Sequence, residues 1–182
     1  GEQEVPEMLM EQWLSLEGGL ARLKYCMTYT GTIAHQAMKH QEMPAVFVEP
    51  RRHTLVFCDA SQPVWQNAPL TRKKPGPPGT AGNLFKVSEP WAAWVDEHDQ
   101  GIGIYFPHAG QVTSYRVTDS GAGDCSYLEP LQTFALKPGM KVEYETVLAL
   151  GTVEQIRGVF SKIATKPPPA KPTQVPTTTI GA

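Results

Sequence analysis

Apolar and polar residues alternate along much of the chain with a period of two, which is typical of half-buried β-strands. The clearest alternation spans residues 141–150, and residues 11–29 form two such stretches that meet at Gly18-Gly19. Shorter apolar stretches between turn residues predict further strands at 44–48, 53–58, 91–95, 101–106, 112–117 and 127–136. Because strands do not alternate with helices, the pattern predicts a mostly β fold, an antiparallel β-sandwich.

One short helix is predicted near the C-terminal end of the chain. Thr152 and Gln155 have the spacing of a capping box. The apolar residues that follow fall on one helix face: Ile156, Val159, Phe160 and Ile163. The helix is expected to end before Pro167. Residues 165–182 are rich in proline and threonine, and we predict that they form a tail or linker after a sandwich domain of residues 1–164.

Prolines and glycines interrupt the strand pattern between residues 61 and 82, which predicts a long loop. The hairpin that follows carries Gly101 and Gly103 on one face of its second strand. Without side chains, these two positions leave room for a neighbouring backbone or for an aromatic ring.

Length, composition and charge narrow the functional classes. The chain has 182 residues with 41% hydrophobic and 19% charged, which suits one folded domain. No apolar run is long enough to span a membrane, and a net charge of −2 gives no electrostatic footprint for nucleic acid. Cys26, Cys58 and Cys125 form no CxxC unit, so one disulfide with a free thiol and three buried thiols both stay open. No cofactor is predicted.

The segment His40-Gln41-Glu42-Met43-Pro44 precedes a predicted strand and offers the first candidate chemistry. Glu42 at a strand edge is suited to acid or base catalysis, with His40 or His108 sharing that work. The alternative is that Glu42 and Gln41 only cap strand ends through the backbone. None of the five histidines has a metal-pair spacing, so no metal site is predicted.

Aromatic residues and one amide form a second candidate set. Sugar rings stack on tryptophan and tyrosine, which makes the following residues candidate ligand-binding groups: Gln41, Trp65, Trp91, Tyr105 and Tyr127. Trp91 and Trp94 lie three apart, so in a strand they face opposite ways, and we expect at most one, Trp94, in the core. A core position is also expected for Trp13 and Tyr144, and for Trp65 either position is open.

Several segments, taken in order, resemble the C-terminal half of a galactose-mutarotase-like β-supersandwich domain of bacterial secreted carbohydrate-active proteins. They are QEMPA at 41–45, WAAWVD at 91–96, GIGIYFP at 101–107, CSYLEP at 125–130 and GTVEQIR at 151–157. The resemblance covers most of residues 8–164. It implies a saccharide cleft on the concave face of one sheet. Such domains are usually larger, so either upstream strands are missing or this is a smaller sandwich.

These observations lead us to expect a carbohydrate-binding or accessory module of a larger glycan-processing protein, with a polysaccharide or oligosaccharide as ligand. One alternative is a structural or assembly subunit whose C-terminal tail threads between protein partners. Another is a saccharide-active hydrolase, lyase or epimerase. A secreted or extracellular location is expected because the tail resembles the Pro/Thr linkers of secreted proteins, although no signal peptide is visible.

Overall fold

A computed structural model describes residues 7–118 and 121–165. Its elements, in chain order, are β1 (Met8–Glu17), β2 (Leu20–Tyr29), β3 (His35–Glu42), β4 (Val46–Val48), β5 (Thr54–Asp59), β6 (Thr71–Lys73), β7 (Leu84–Val95), β8 (Gln100–Tyr105), β9 (Gln111–Val117), a 3-10 turn (Gly121–Gly123), β10 (Cys125–Leu136), β11 (Lys141–Thr152) and α1 (Val153–Thr165). The predicted class, mostly antiparallel β with one short C-terminal helix, is confirmed.

The long strand β7 folds the sheet into two layers. Residues 91–95 pair with β8 and β5, whereas residues 84–86 pair with β9. Pro90 lies between the two halves and offers no N–H to a ladder. The first layer therefore runs β1-β2-β11-β8-β7-β5-β6, and the second contains β9 and β10, with β3 and β4 both paired to β10.

Two apolar cores lie on opposite faces of the first layer. The interior core between the layers includes Phe57, Trp94, Ile104, Val112 and Leu128. The helix-side core lies under α1 and includes Val56, Trp91, Val147, Ile156 and Phe160. Both faces of the C-terminal half of β7 are thus buried.

The expectation that at most one of Trp91 and Trp94 is in the core is therefore wrong, because both are fully buried. The two side chains do face opposite ways, as their spacing predicts. The apolar stripe of α1 buries the second face, so each tryptophan has a core of its own.

The predicted start of the helix and the room left by the glycines are both confirmed. Gln155 Oε1 accepts a hydrogen bond of 2.9 Å from the Thr152 N–H, and Thr152 Oγ1 accepts one of 3.2 Å from the Gln155 N–H. A Cβ added at Gly103 would lie 2.9 Å from the Phe160 ring. The glycine therefore lets α1 approach the strand closely.

Other expectations about local structure fail at the edges of the sheet. No strand is predicted between residues 30 and 43, but His35–Glu42 is strand β3, and β6 lies inside the predicted long loop. Trp13 is 54% exposed, because β1 is an edge strand, so its predicted core position is wrong. Tyr144 is buried as expected. The predicted tail, residues 166–182, lies outside the described residues.

A buried ion pair fastens α1 to the first layer. The Arg157 guanidinium donates to both oxygens of Glu89, at 2.6 and 3.0 Å, and to the carbonyl oxygen of Ala68 at 2.9 Å. Glu89 is fully buried and also accepts from the indole N–H of Trp91 at 2.7 Å. Burial alone would raise the pKa of Glu89, but the hydrogen bonds from Arg157 and Trp91 outweigh it and keep the pKa below its usual range. The pair is therefore ionised, and each charge depends on its partner.

Removing Arg157 should leave the buried carboxylate of Glu89 without its charged partner. We expect Arg157→Ala to lower the free energy of unfolding by about 3–5 kcal/mol, as measured by urea denaturation. Arg72→Ala is the matched control, because Arg72 pairs with Asp99 at 2.6 Å on the exposed surface, and its loss should cost at most about 1 kcal/mol. Equal costs for the two variants would contradict the assigned role of the buried pair.

Candidate functional site

The strand alternation of β10 presents a polar and aromatic surface on the side of the second layer that faces away from the interior core. Leu128 points into the interior core, so Tyr127, Glu129 and Leu131 point to the other side. We call this side the outer face. Register adds residues from the neighbouring strands to it: Phe47 and Tyr115 lie opposite Tyr127, Thr113 opposite Glu129, and Glu42 opposite Leu131.

Three of these side chains form a cluster in which two carboxyl groups meet one phenol. The hydroxyl oxygen of Tyr127 lies 2.7 Å from Glu42 Oε2 and 2.6 Å from Glu129 Oε2. A phenol has one proton, so it donates to only one carboxylate, and the second contact needs a proton from the carboxyl group itself. The geometry therefore fits one ionised and one protonated glutamate.

Burial decides which glutamate carries the proton. Glu129 is 2% exposed, and this burial, with Glu42 nearby, raises the pKa of Glu129 to about 8. The Glu42 side chain is exposed, and hydrogen bonds from Glu129 and Tyr127 hold its pKa below the usual range against partial burial. At neutral pH, Glu129 is thus the acid and Glu42 the carboxylate.

An aromatic row lies directly beside the carboxyl groups. The rings of Tyr115 and Tyr127 stack with centroids 4.3 Å apart, and the Phe47 ring lies 4.7 Å from that of Tyr127 at an angle of 59°. Phe47 is 66% exposed, whereas Tyr127 is buried beneath its neighbours. The row thus offers an exposed ring next to a buried proton donor.

The interior core fixes the position of Tyr127. Its carbonyl oxygen accepts a hydrogen bond from the indole N–H of Trp94 at 3.2 Å and one from the Ser114 hydroxyl at 2.5 Å. Both donors are fully buried. The backbone at the centre of the site is therefore held from the interior side of the sheet.

Of the catalytic residues predicted from sequence, two share a surface. His40 and Glu42 alternate on β3, so both lie on the outer face, and His40 Nδ1 is 2.9 Å from Thr133 Oγ1. His108 has other neighbours, because its Nε2–H donates to the Met43 carbonyl at 2.7 Å and its ring lies 5.0 Å from that of Tyr144. The Glu42 side chain therefore contacts Tyr127, whereas His108 contacts the backbone of the next residue, Met43.

The predicted ligand-binding residues separate into three places. Tyr127 is at the site, and Gln41 lies on the opposite face of β3, where it lines an open apolar groove with a volume of about 230 Å³. Trp91 and Tyr105 are buried in the helix-side core, and Trp65 packs against that core. The predicted binding role of Trp91 and Tyr105 is corrected, because α1 covers the face of the sheet on which they lie. Trp65 lies in a loop and is half-buried, so its role stays a prediction.

The sequence interpretation missed Glu129, Phe47 and Tyr115. One signal could have found Glu129, since it is the one charged residue of its strand and lies two residues from Tyr127. The shared face of Tyr127 and Glu129 follows from alternation alone. Phe47 and Tyr115 become neighbours only through strand register, which the sequence does not specify. Among the residues that the structure describes, no group of three or more His, Cys, Asp or Glu side chains is placed to hold a metal ion.

The fold is similar to that of several proteins of known structure. A candidate aldose 1-epimerase from Escherichia coli K12 matches with a TM-score of 0.50 and 16% identity, over 84% of this chain and 63% of that chain. The likeness shows that this chain shares the fold of that protein, and the secreted carbohydrate-active context stays a prediction. This chain thus spans 63% of the length of the Escherichia coli protein.

Two further structures show weaker matches. A candidate aldose 1-epimerase from Klebsiella pneumoniae has a TM-score of 0.47 and 17% identity, over 86% of this chain and 50% of that chain. A galactose mutarotase-like protein from Lactobacillus casei has a TM-score of 0.44 and 12% identity, over 79% of this chain and 69% of that chain. No protein-family model matches the sequence, and no curated protein does. In the described part of the chain, no helix is long and apolar enough to cross a membrane.

The raised pKa of Glu129 should make stability depend on pH in a defined direction. Because the folded-state pKa of about 8 lies above the unfolded value, the folded protein holds a proton that the unfolded chain releases. The stabilisation is complete below the unfolded pKa and is lost as the pH rises through 8. We expect the free energy of unfolding, measured by urea denaturation, to fall from pH 5 to pH 8. Glu129→Gln should reduce this dependence of the unfolding free energy on pH, whereas Glu143→Gln, on the exposed surface, should leave it unchanged. An unchanged pH dependence in Glu129→Gln would contradict the raised pKa assigned to Glu129.

Proposed function

We propose that the outer face of the second layer binds a saccharide at Phe47, Tyr115, Glu42 and Glu129. The observation that carries this proposal is the proton-sharing carboxyl cluster beside an exposed aromatic row. Sugars combine apolar C–H faces with hydroxyl groups that need hydrogen-bond partners. The exposed Phe47 ring can stack on the apolar C–H face of a sugar, and the two carboxyl groups can form hydrogen bonds with its hydroxyl groups.

A second candidate function, acid–base chemistry on the bound sugar, is favoured by the opposite pKa shifts of the two glutamates. A pair of carboxyl groups whose environments separate their pKa values supplies one acid and one base at the same pH. Here Glu129 is the acid, and the exposed Glu42 carboxylate is the base. Tyr127 lies between them and can pass a proton from one to the other.

Opening of an aldose ring suits this arrangement better than hydrolysis does. In the proposed reaction, the Glu42 carboxylate takes the proton of the anomeric hydroxyl, Glu129 gives its proton to the ring oxygen, and the bond between C1 and that oxygen breaks. Closure from the other face reverses these transfers and gives the second anomer. Glycoside hydrolysis needs carboxyl groups that flank a bond, whereas these two meet at one phenol. The name of the Escherichia coli neighbour, aldose 1-epimerase, agrees with this choice.

The accessory module, the assembly subunit and the extracellular location stay predictions. An accessory module would bind a saccharide without catalysing a reaction, and polarimetry of aldoses distinguishes these two cases. The assembly subunit and the extracellular location both depend on the C-terminal segment 166–182, which lies outside the described residues.

The exposed ring of Phe47 gives a direct test of saccharide binding. We expect Phe47→Ala to weaken the binding of monosaccharides, measured by calorimetry over a panel of aldoses, by about five- to tenfold because a stacking surface of about 1 kcal/mol is lost. Leu150→Ala is the matched control, because Leu150 is 71% exposed and lies on β11 of the first layer. Absence of binding to every sugar in the panel, or equal effects of the two variants, would contradict the proposal.

Polarimetry of freshly dissolved aldoses tests the proposed chemistry. The wild-type protein should speed the approach to the equilibrium rotation, and Glu129→Gln should remove at least about 100-fold of that acceleration, since a general acid contributes roughly this much. Sugar affinity should stay within a few-fold, because glutamine keeps the hydrogen-bonding shape. Glu143→Gln, on the exposed surface, should have wild-type activity. A wild-type protein that binds aldoses without accelerating the rotation change would leave the binding proposal standing and exclude catalysis.

A further inference from the structure

Arginine and lysine side chains pair with several carboxylates of this protein, but not with those of the candidate site. Salt bridges to these basic residues hold the following acids: Glu17, Glu49, Glu89, Asp99, Glu143 and Glu145. Within the described residues, the hydroxyl of Tyr127 takes this place for both Glu42 and Glu129. Because the Glu42 side chain is exposed, its charge is open to a ligand that arrives from solvent.

The basic residues on the neighbouring strands lie away from the two carboxyl groups. Lys39 is on β3 but on its opposite face, where it lines the apolar groove. Lys86 is on β7, which β9 and β10 separate from β3, a distance of about 14 Å at the usual spacing of strands. His40 lies two residues from Glu42 on the outer face, and its Nδ1 is 2.9 Å from the Thr133 hydroxyl oxygen. In the described part of the chain, no lysine or arginine is thus in contact with the Glu42 carboxylate.

The aromatic row next to the carboxyl groups attracts charge of the same sign as they do. The face of an aromatic ring carries partial negative charge and binds an ammonium group within about 6 Å of its centre. Phe47 is 66% exposed, so one face of its ring is open to a ligand. Both Phe47 and Glu42 contact Tyr127, the first at its ring and the second at its hydroxyl. The exposed ring and the exposed carboxylate are therefore separated by no more than one tyrosine side chain.

The tyrosines report a negative electrostatic field at the site. Burial raises the pKa of Tyr115, and the charges of Glu129 and Glu42 raise it further. Burial and hydrogen bonds with the same two glutamates also raise the pKa of Tyr127. Each of these shifts disfavours additional negative charge. The field that produces them favours a positive charge in the same place.

We infer that the saccharide of this site is an amino sugar whose ammonium group lies between the Glu42 carboxylate and the Phe47 ring. The inference rests on the proposed saccharide site and adds the charge of its ligand. The ring and hydroxyl groups of the sugar make the contacts already proposed. The ammonium group supplies the cation that the protein itself does not place against Glu42, and it donates hydrogen bonds to the carboxylate.

The same arrangement discriminates against the other classes of sugar. A neutral aldose leaves the charge of Glu42 without a partner, so it lacks the attraction that an ammonium group gains. A uronic acid or a sugar phosphate brings a second negative charge next to the first, and like charges at short range repel. Specificity then comes from attraction of one class and repulsion of another.

Calorimetry of each amino sugar against its parent aldose tests the inference. At pH 7, the amino group of glucosamine, galactosamine and mannosamine is largely protonated. We expect the amino sugar of the correct stereochemistry to bind about tenfold more tightly than its parent, and glucuronate to bind more weakly than glucose. Equal affinities within every pair would overturn the inference and leave the proposed saccharide site standing. Absence of binding to every sugar would instead contradict the proposed site itself.

Two variants locate the ammonium group. Glu42→Gln should bring the ratio of the two affinities close to one, and Phe47→Leu should lower it by a few-fold, because leucine keeps an apolar surface without an aromatic face. Glu143→Gln is the matched control, since Glu143 is an exposed acid on β11 that pairs with Lys141, and it should keep the wild-type ratio. Circular dichroism establishes that each variant is folded. An unchanged ratio in Glu42→Gln or in Phe47→Leu would overturn the inference.

The salt dependence of the wild-type protein gives a test that needs no variant. In 1 M sodium chloride, charges are screened over about 3 Å. The preference for the amino sugar should therefore fall severalfold, whereas the affinity for the parent aldose should change little. A preference that 1 M salt leaves intact would overturn the inference, and this result also decides the case in which Glu42→Gln binds no sugar.

Discussion

The structure depends on the burial of both faces of β7. Its C-terminal half alternates residues between two cores, with Ala92 and Trp94 facing the interior and Trp91, Ala93 and Val95 facing α1. A strand that is apolar on both sides is stable only if a layer covers each side. The second layer covers one side, the helix covers the other, and the Glu89–Arg157 pair anchors that helix. The strand that bends between the layers thereby also fixes β9 and β10, on which the candidate site lies.

The candidate site lowers the stability of the folded protein, which is a physical argument that the site serves a function. Burial of Glu129 raises its pKa, so the protein keeps a neutral acid where an apolar residue would pack at no such cost. A second carboxylate beside it adds repulsion whenever Glu129 ionises. The ion pair of Glu89 shows the other solution available to this chain, in which a buried glutamate is matched by an arginine. Among the described residues, the partners of Glu129 are instead a phenol and another acid. Such an arrangement is suited to moving protons rather than to holding the fold together.

Local sequence patterns predicted most of the fold, because strands and caps are short-range properties. The hairpin at Gly18-Gly19, the alternation of β11 and the capping box of α1 depend on residues close in sequence. Trp13 was misplaced because alternation shows which residues share a face but not whether another layer covers that face. Strand β3 was missed because its residues are mostly exposed and polar, so no apolar period marks it. Tertiary context decided both outcomes.

The candidate site was only partly predictable for the same reason. Glu42 and Tyr127 were found separately, as an acid before a strand and as an aromatic residue, with no indication that they touch. The pairing of β3 with the C-terminal half of β10 brings them together across 85 positions of sequence. The pKa of Glu129 is then raised by burial and by the neighbouring Glu42. Neither cause can be found in the local sequence around Glu129. Because β3 is the last strand of the second layer, any change that frees this edge would separate Glu42 from Glu129 and leave the buried acid without its base.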